Sequence, residues 1–377
     1  MESYRLNSRI VDDKKEYLIQ TMNDTSDGVI KTTLFVNGEI LDAMVFPHAD
    51  EIGEEEILNL VKCEHGEKKS ELEYLLKSYK EVLRNGRPEM MYHLGTALYY
   101  KRMYSEARHL FQTALELKHD YHECFFFLSR TELALGHAEE AVKAGSRAVE
   151  LRQNYADYRN ALGEALLESS SCKRAVIEFE EAIRKNVYYA DAYFNLAMTY
   201  IQNAVKKEDY HLVSDLKTKC MDMLKKAVLI YPAYESSDFD RATAALKAGD
   251  LKGAYNLLMT VRESKKEKQR LEQAVYFHRF LIYTDWLSEN HIADRIAYLE
   301  REINKNPDYV DLYYELAVCH LHQARFQWQK GINNFQKALA INPDLKKANR
   351  AYEMARDHSL KLNDAITGIS DKNTILE

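Results

Sequence analysis

From Pro88 onward the chain repeats itself at a period of about 34 residues, and no other feature limits its possible folds as strongly. The block starting at Pro88 places Leu94-Gly95, Ala107, Phe111 and Ala114 at fixed offsets. Residues 122–155 bring Leu128, Ser129, Ala141 and Ala148 to the same offsets, and residues 156–189 bring Leu162-Gly163, Ala175, Phe179 and Ala182. The fourth block opens at Ala190 with Leu196, Ala197 and Tyr200, takes in about eleven extra residues near 203–216, then recovers register through Cys220, Leu224, Ala227 and Pro232. A fifth contributes Ala242, Ala254 and Leu258. Residues 276–309 keep register through Ile282, Leu299 and Pro307, but carry Arg295 and Glu302 where alanine is expected. The seventh returns with Leu316-Ala317, Gly331, Phe335, Ala338 and Pro343. One such unit cannot bury its own apolar face, so neighbours must stack into an array.

This pattern of Leu-Gly, Ala, Phe and Ala resembles the signature of the tetratricopeptide repeat (TPR) family over roughly 88–345. The resemblance implies two antiparallel helices per block, A and B, with small residues where A and B approach and large ones filling the gap between blocks. The fold class expected is therefore mainly α: a TPR-like superhelix of about seven helix pairs, preceded by a small antiparallel β-meander. The domains expected are a β-meander at 1–50, a helical hairpin at 51–87, the array at 88–345, a capping helix at 346–363 and a disordered tail at 364–377. Only 13 Gly and 5 Pro in 377 residues agree with long helices and short connections.

The β reading of the N-terminus rests on Lys15–Met22, Val29–Val36 and Glu39–Phe46, rich in Ile, Val, Thr, Leu and Phe, with Arg9–Asp12 as a possible short addition. Asn37-Gly38 between the last two runs is the signal of a two-residue type I′ hairpin. So few strands cannot stand alone, and one face has to lie on a helix such as Leu72–Leu83.

Charge divides the chain. Residues 1–60 hold 5 Lys and Arg against 13 Asp and Glu, whereas the rest is close to neutral. Nothing resembles the basic field that nucleic acid demands. RNA reading by a helical repeat would need a basic groove with base-reading pairs, and neither is present. Five scattered cysteines, Cys63, Cys124, Cys172, Cys220 and Cys319, form no CxxC pair and indicate neither a disulfide framework nor a zinc finger. The charged N-terminus lacks the apolar core of a signal peptide, and no apolar stretch is long enough to span a membrane; a cytoplasmic location is expected.

The fifth residue of each block is the principal site candidate. Down the array it is Tyr92, Phe126, Asn160, Phe194, Phe239, Phe280 and Tyr314. The resemblance places this position on the concave surface, where a row of rings could hold an extended or helical peptide by apolar anchors. The competing reading is that these rings pack against the next A helix. A TPR subclass that grips a C-terminal carboxylate needs Lys, Asn and Arg on this face. Here Glu89, Thr96, Glu123, Asp157 and Glu164 stand beside Arg130 and Asn160, so acidic residues occupy the place of the clamp.

The histidine and cysteine groups His119/His122/Cys124 and Cys319/His320/His322 read as core cysteine and surface histidine, and no metal or cofactor is expected. No nucleophile elbow, phosphate loop or HExxH motif occurs, and no catalytic residue is nominated. The function expected is a non-catalytic scaffold for a protein or peptide partner, with possible self-association through the N-terminal domain. The alternative is an enzyme or enzyme regulator with a site in the β-domain. Arg262–Arg270 (RESKKEKQR) is the one concentrated basic run. It reads as a solvated connector, or as a docking patch for an acidic partner such as the molecule's own N-terminal domain.

Overall fold

The structure is a computed structural model, and it describes residues 4–13, 15–24, 27–48, 53–85, 87–207, 215–277, 289–305 and 310–371. The chain is mainly helical, with repeated antiparallel helix pairs and a small N-terminal sheet. It forms two compact units, Met1–Val275 and Tyr276–Glu377.

In the first unit, strands β1 (Arg5–Asp12), β2 (Lys15–Asp24), β3 (Val29–Val36) and β4 (Glu39–Pro47) make an antiparallel meander in the order β1-β2-β3-β4. Asn37 and Gly38 both have positive φ, 49° and 89°, as a type I′ turn requires. β4 carries a bulge opposite Leu34/Phe35, where Leu34 pairs with Asp42 while Phe35 pairs with Ile40. The extra residue, Leu41, reverses the alternation of the strand. As a result Ile40 is exposed while Asp42 is turned onto the covered face and buried.

That covered face carries Tyr17, Ile19, Ile30 and Leu34, and helix α1 (Glu54–Asn85) covers it with Ile57, Val61, Leu72 and Leu75. The hairpin expected over 51–87 is thus a single long helix. Gly66 lies inside it, where a glycine costs about 1 kcal/mol in helix propensity. Burial of apolar side chains on both sides of Gly66 offsets that cost many times over.

The array follows as A/B pairs: α2 (Pro88–Tyr100) with α3 (Tyr104–Leu117), α4 (His122–Ala134) with α5 (Ala138–Leu151), α6 (Ala156–Glu168) with α7 (Cys172–Lys185), and α8 (Ala190–Lys206) with α9 (Leu216–Ile230). Successive A helices also touch, α2 with α4, α4 with α6 and α6 with α8, so they line one continuous face. The small residues act as expected. A Cβ built on Gly95 would stand 2.7 Å from the Phe111 ring, and one on Gly163 would stand 2.6 Å from Phe179. In the second pair the sizes are exchanged: Gly145 replaces the Phe and Ser129 the Gly, and Ser129 Oγ donates to Ala141 O at 2.7 Å. The A–B turns of the first, second, third and fifth pairs place a residue of positive φ at the same offset: Arg102, Gly136, Ser170 and Gly249.

The fifth pair is α10 (Ser237–Ala248) with α11 (Leu251–Phe277), and here the sequence reading needs correction. Residues 262–270 are not a solvated connector: α11 continues through them without a break. The stretch contains no Gly or Pro, and Arg, Glu, Lys and Gln are good helix formers.

The second unit holds α12 (Glu289–Lys305), α13 (Val310–Ile341) and α14 (Lys346–Asp371), each packed on the next in chain order. Arg295, standing where an alanine was expected, extends to Glu315 on α13 at 2.6 Å. The seventh block, expected as a helix pair, is the single 32-residue helix α13. Its sequence at the A–B turn offset is an unbroken run of helix-compatible residues. The last helix runs on to Asp371, beyond 363 where the ordered chain was expected to end.

Candidate helix-binding face

Four A helices present acidic and aromatic side chains to one side of the first unit, and the second half of α11 lies along that side. Its cations meet the carboxylates one by one. Lys266 Nζ donates to Glu164 Oε2 at 2.8 Å, and Glu164 Oε1 accepts from Asn160 Nδ2 at 3.1 Å and Asn195 Nδ2 at 3.0 Å. Asn195 Nδ2 also donates to Asn160 Oδ1 at 3.0 Å, so α6 and α8 hold this carboxylate in place together. Arg262 Nη2 reaches Glu168 Oε1 at 3.4 Å.

Lys265 sits in a cage. Its ammonium pairs with Asp191, donates to Tyr234 Oη at 3.3 Å, and lies 4.7 and 4.9 Å from the ring centroids of Tyr234 and Tyr231. Tyr234 Oη also donates to Asp191 Oδ1 at 2.6 Å. Acid and aromatic faces together suit a buried ammonium.

At its C-terminal end α11 reaches the N-terminal sheet. Arg270 Nη2 donates to Asp42 Oδ1 at 3.0 Å, and Nη1 donates to the carbonyl of Tyr100 at 2.7 Å. Asp42 also accepts from Lys68 Nζ at 3.0 Å, and Lys101 pairs with Glu71. Glu267 takes both Arg270, at 2.7 and 2.8 Å, and Arg102 Nη2, at 2.6 Å.

The titration behaviour follows from this geometry. Burial alone would raise the Glu164 carboxyl, but Lys266 and Arg262 outweigh it and bring its pKa down to about 2. Burial likewise opposes ionisation of Asp42, and Lys68 with Arg270 overcomes it, so its pKa is lowered. Hydrogen bonding to Arg270, then to Arg102, lowers Glu267. Lys101 moves the other way: burial and the neighbouring Lys68 lower its pKa against the pull of Glu71.

The fifth-position residues are placed differently from one another. Phe194 is 0% exposed, and its ring stacks on Tyr234 at 4.4 Å and 8°, so it backs the Lys265 cage from beneath. Tyr92 is half-buried among Tyr121, Phe111 and Phe127. Phe126, half-buried, stacks on Tyr158 of the next A helix at 4.8 Å and 19°, with the Arg130 guanidinium 5.5 Å from its centroid. Asn160 belongs to the Glu164 network. Phe239 is half-buried against the core. Tyr314 lies on α13 of the second unit and is 44% exposed. Phe280 falls outside the described residues.

Sequence reasoning missed Glu168, Asp191, Asp42 and Glu267. A signal for them existed in part: Glu89, Glu123, Asp157 and Asp191 recur at the same offset of successive A helices, and the basic run is spaced at three and four residues.

Of the histidines set aside as metal ligands, His119 Nδ1 donates to Leu115 O at 2.9 Å, and His122 Nδ1 lies 2.8 Å from Tyr158 Oη. Among the described residues no group of three or more His, Cys, Asp and Glu side chains is arranged to hold a metal ion. No helix among them is long and apolar enough to cross a membrane.

These features define a helical-repeat protein whose A helices share one face, along which part of α11 lies. Residues 92–158 match the tetratricopeptide repeat family, so the helix pairs of that stretch are TPR units, while the N-terminal sheet matches no family. No curated protein matches the chain in sequence. Among solved structures it is similar to the protein MamA (20% identity, 47% of this chain and 96% of that one, TM-score 0.35). It is also similar to YrrB, described as a TPR protein with an unusual peptide-binding site (26%, 44% and 81%, 0.36). A third is TTC0263, a thermophilic TPR protein of Thermus thermophilus (19%, 62% and 99%, 0.35).

Proposed function

We propose that this protein is a non-catalytic interaction scaffold whose A-helix face seats a peptide segment of a partner protein. One observation carries the reading: the face already holds a helix, α11, through side chains and a carbonyl contributed by α2, α6 and α8. A surface that satisfies the charges and rings of one helix has the chemistry to bind another. Tyr92, Phe126 and Asn160, with Glu164 and Asp191, are the residues assigned to this role. Phe194 and Phe239 support them from within.

The test is a panel of short helical and extended peptides of acidic, neutral and basic composition, titrated against the full chain. Phe126→Ala is expected to weaken binding by about 1–3 kcal/mol, the scale of an interface anchor. Unchanged affinity for every bound peptide after Tyr92→Ala, Phe126→Ala and Asn160→Ala together, with helicity intact, would remove the A-helix face as the binding site.

A further inference from the structure

We infer that the partner segment is a basic amphipathic helix, and that residues 262–270 of α11 occupy its seat as an internal competitor. The inference rests on the proposed function and adds the chemistry of the ligand and the means of its control. Glu164 and Glu168 on α6, Asp191 on α8 and Asp42 on β4 each meet one cation of α11: Lys266, Arg262, Lys265 and Arg270. In chain order these cations are separated by three, one and four residues, the spacing that sets side chains along one stripe of a helix.

The seat chooses charge chiefly through its enclosed members, Asp42 and Glu164, and less through the exposed Glu168. Asp42 is only 4% exposed, and Glu164 is held between two asparagines that leave its second oxygen turned to Lys266. A neutral or acidic helix would leave Glu164 and Asp191 without their cations and Asp42 with Lys68 alone, which is more costly than making no contact. A cationic helix replaces what α11 supplies.

The competitor is held unevenly. The first half of α11 enters the apolar core through Ala254, Leu258 and Val261. The pairs from Arg262 to Arg270 are ionic, polar and cation–π in kind, so a competing cationic helix can replace each of them, whereas it cannot replace the apolar burial of the first half. The second half can therefore leave the face while the first stays packed, a local opening below the global unfolding free energy.

The experiment uses two synthetic peptides: one with the sequence of residues 251–277, and the same peptide with Arg262→Gln, Lys265→Gln, Lys266→Gln and Arg270→Gln. Each is titrated by fluorescence anisotropy against the full wild-type chain and against the full chain carrying those four substitutions. The substituted chain is expected to bind the basic peptide at least tenfold more tightly than wild type does, and at least tenfold more tightly than it binds the neutral peptide. Adding Glu164→Gln should remove that preference.

Equal affinity for both peptides overturns the basic-helix inference and leaves the scaffold reading standing. A folded substituted chain that binds no peptide of any composition overturns both. Should the substituted chain fail to fold, hydrogen exchange on wild type decides. Excess basic peptide must then speed exchange at 262–270 while leaving 122–185 unchanged, and no change at 262–270 overturns the inference. A wild-type dimer that vanishes on those four substitutions would make a second copy the occupant, and likewise overturns it.

Discussion

Arg270 and Asp42, 228 positions apart in the chain, meet at 3.0 Å inside the first unit, and their contact ties the N-terminal sheet to the far end of α11. Both are nearly enclosed, and the bulge in β4 is what brings Asp42 within reach. A pair of this kind gives little net stability over an apolar pair, but losing one partner leaves the other with a single counter-ion, Lys68 for Asp42 or Glu267 for Arg270.

Arg270→Gln or Asp42→Asn alone should therefore lower the unfolding free energy of the chain by about 1.5–3 kcal/mol, the scale of a hydrogen bond to a charged group. The double variant should cost clearly less than the two singles added. Urea unfolding in a double-mutant cycle measures this, and strict additivity would show that the pair does not couple.

The acid limb of the stability curve should report Glu164. Its folded pKa is about 2 against an ordinary value of 4.5, so the stability it contributes is fully present above pH 4.5. That contribution is lost as pH falls toward 2. In Glu164→Gln the fall between pH 4.5 and 2 should be shallower than in wild type, and parallel curves would show that the carboxylate is not held by Lys266 and Arg262.

Gly163→Ala should destabilise the third helix pair by about 1–3 kcal/mol, because the added methyl meets the Phe179 ring at 2.6 Å. Combining it with Phe179→Ala should cost less than the separate losses summed, since the second pair already accommodates Ser129 opposite Gly145. Thermal unfolding of the four proteins measures the coupling.

Ser170 holds φ at 60° in the turn where Gly136 and Gly249 stand in other pairs. Ser170→Gly should raise stability by about 1 kcal/mol by relieving a left-handed backbone that a side chain disfavours. Gly136→Ala should lower it by a similar amount. A fall in melting temperature for Ser170→Gly would mean that its hydrogen bond from Lys206, at 2.7 Å, outweighs the backbone cost.

The helix pairs, the Asn37-Gly38 hairpin and the need for a helix over the sheet were legible because each depends on local spacing: the repeat offsets, two residues of positive φ, and an alternation too short to bury two faces. The acidic character of the A-helix face and the basic run at 262–270 could also be read from the chain itself. Their meeting could not. Whether RESKKEKQR is solvated or seated depends on where the carboxylates of α6, α8 and β4 stand in space, and the nearest of these in sequence, Asp191, lies 74 residues from its partner Lys265. The same limit applied to Phe194, whose offset marks it as groove-facing, while the short helical turn bearing Tyr234 closes over its ring. Repeat periodicity thus determined which residues share a face. Only the tertiary structure decided what covers that face, because the covering helix is recruited by burial and charge pairing over long range, and these leave no period in the sequence.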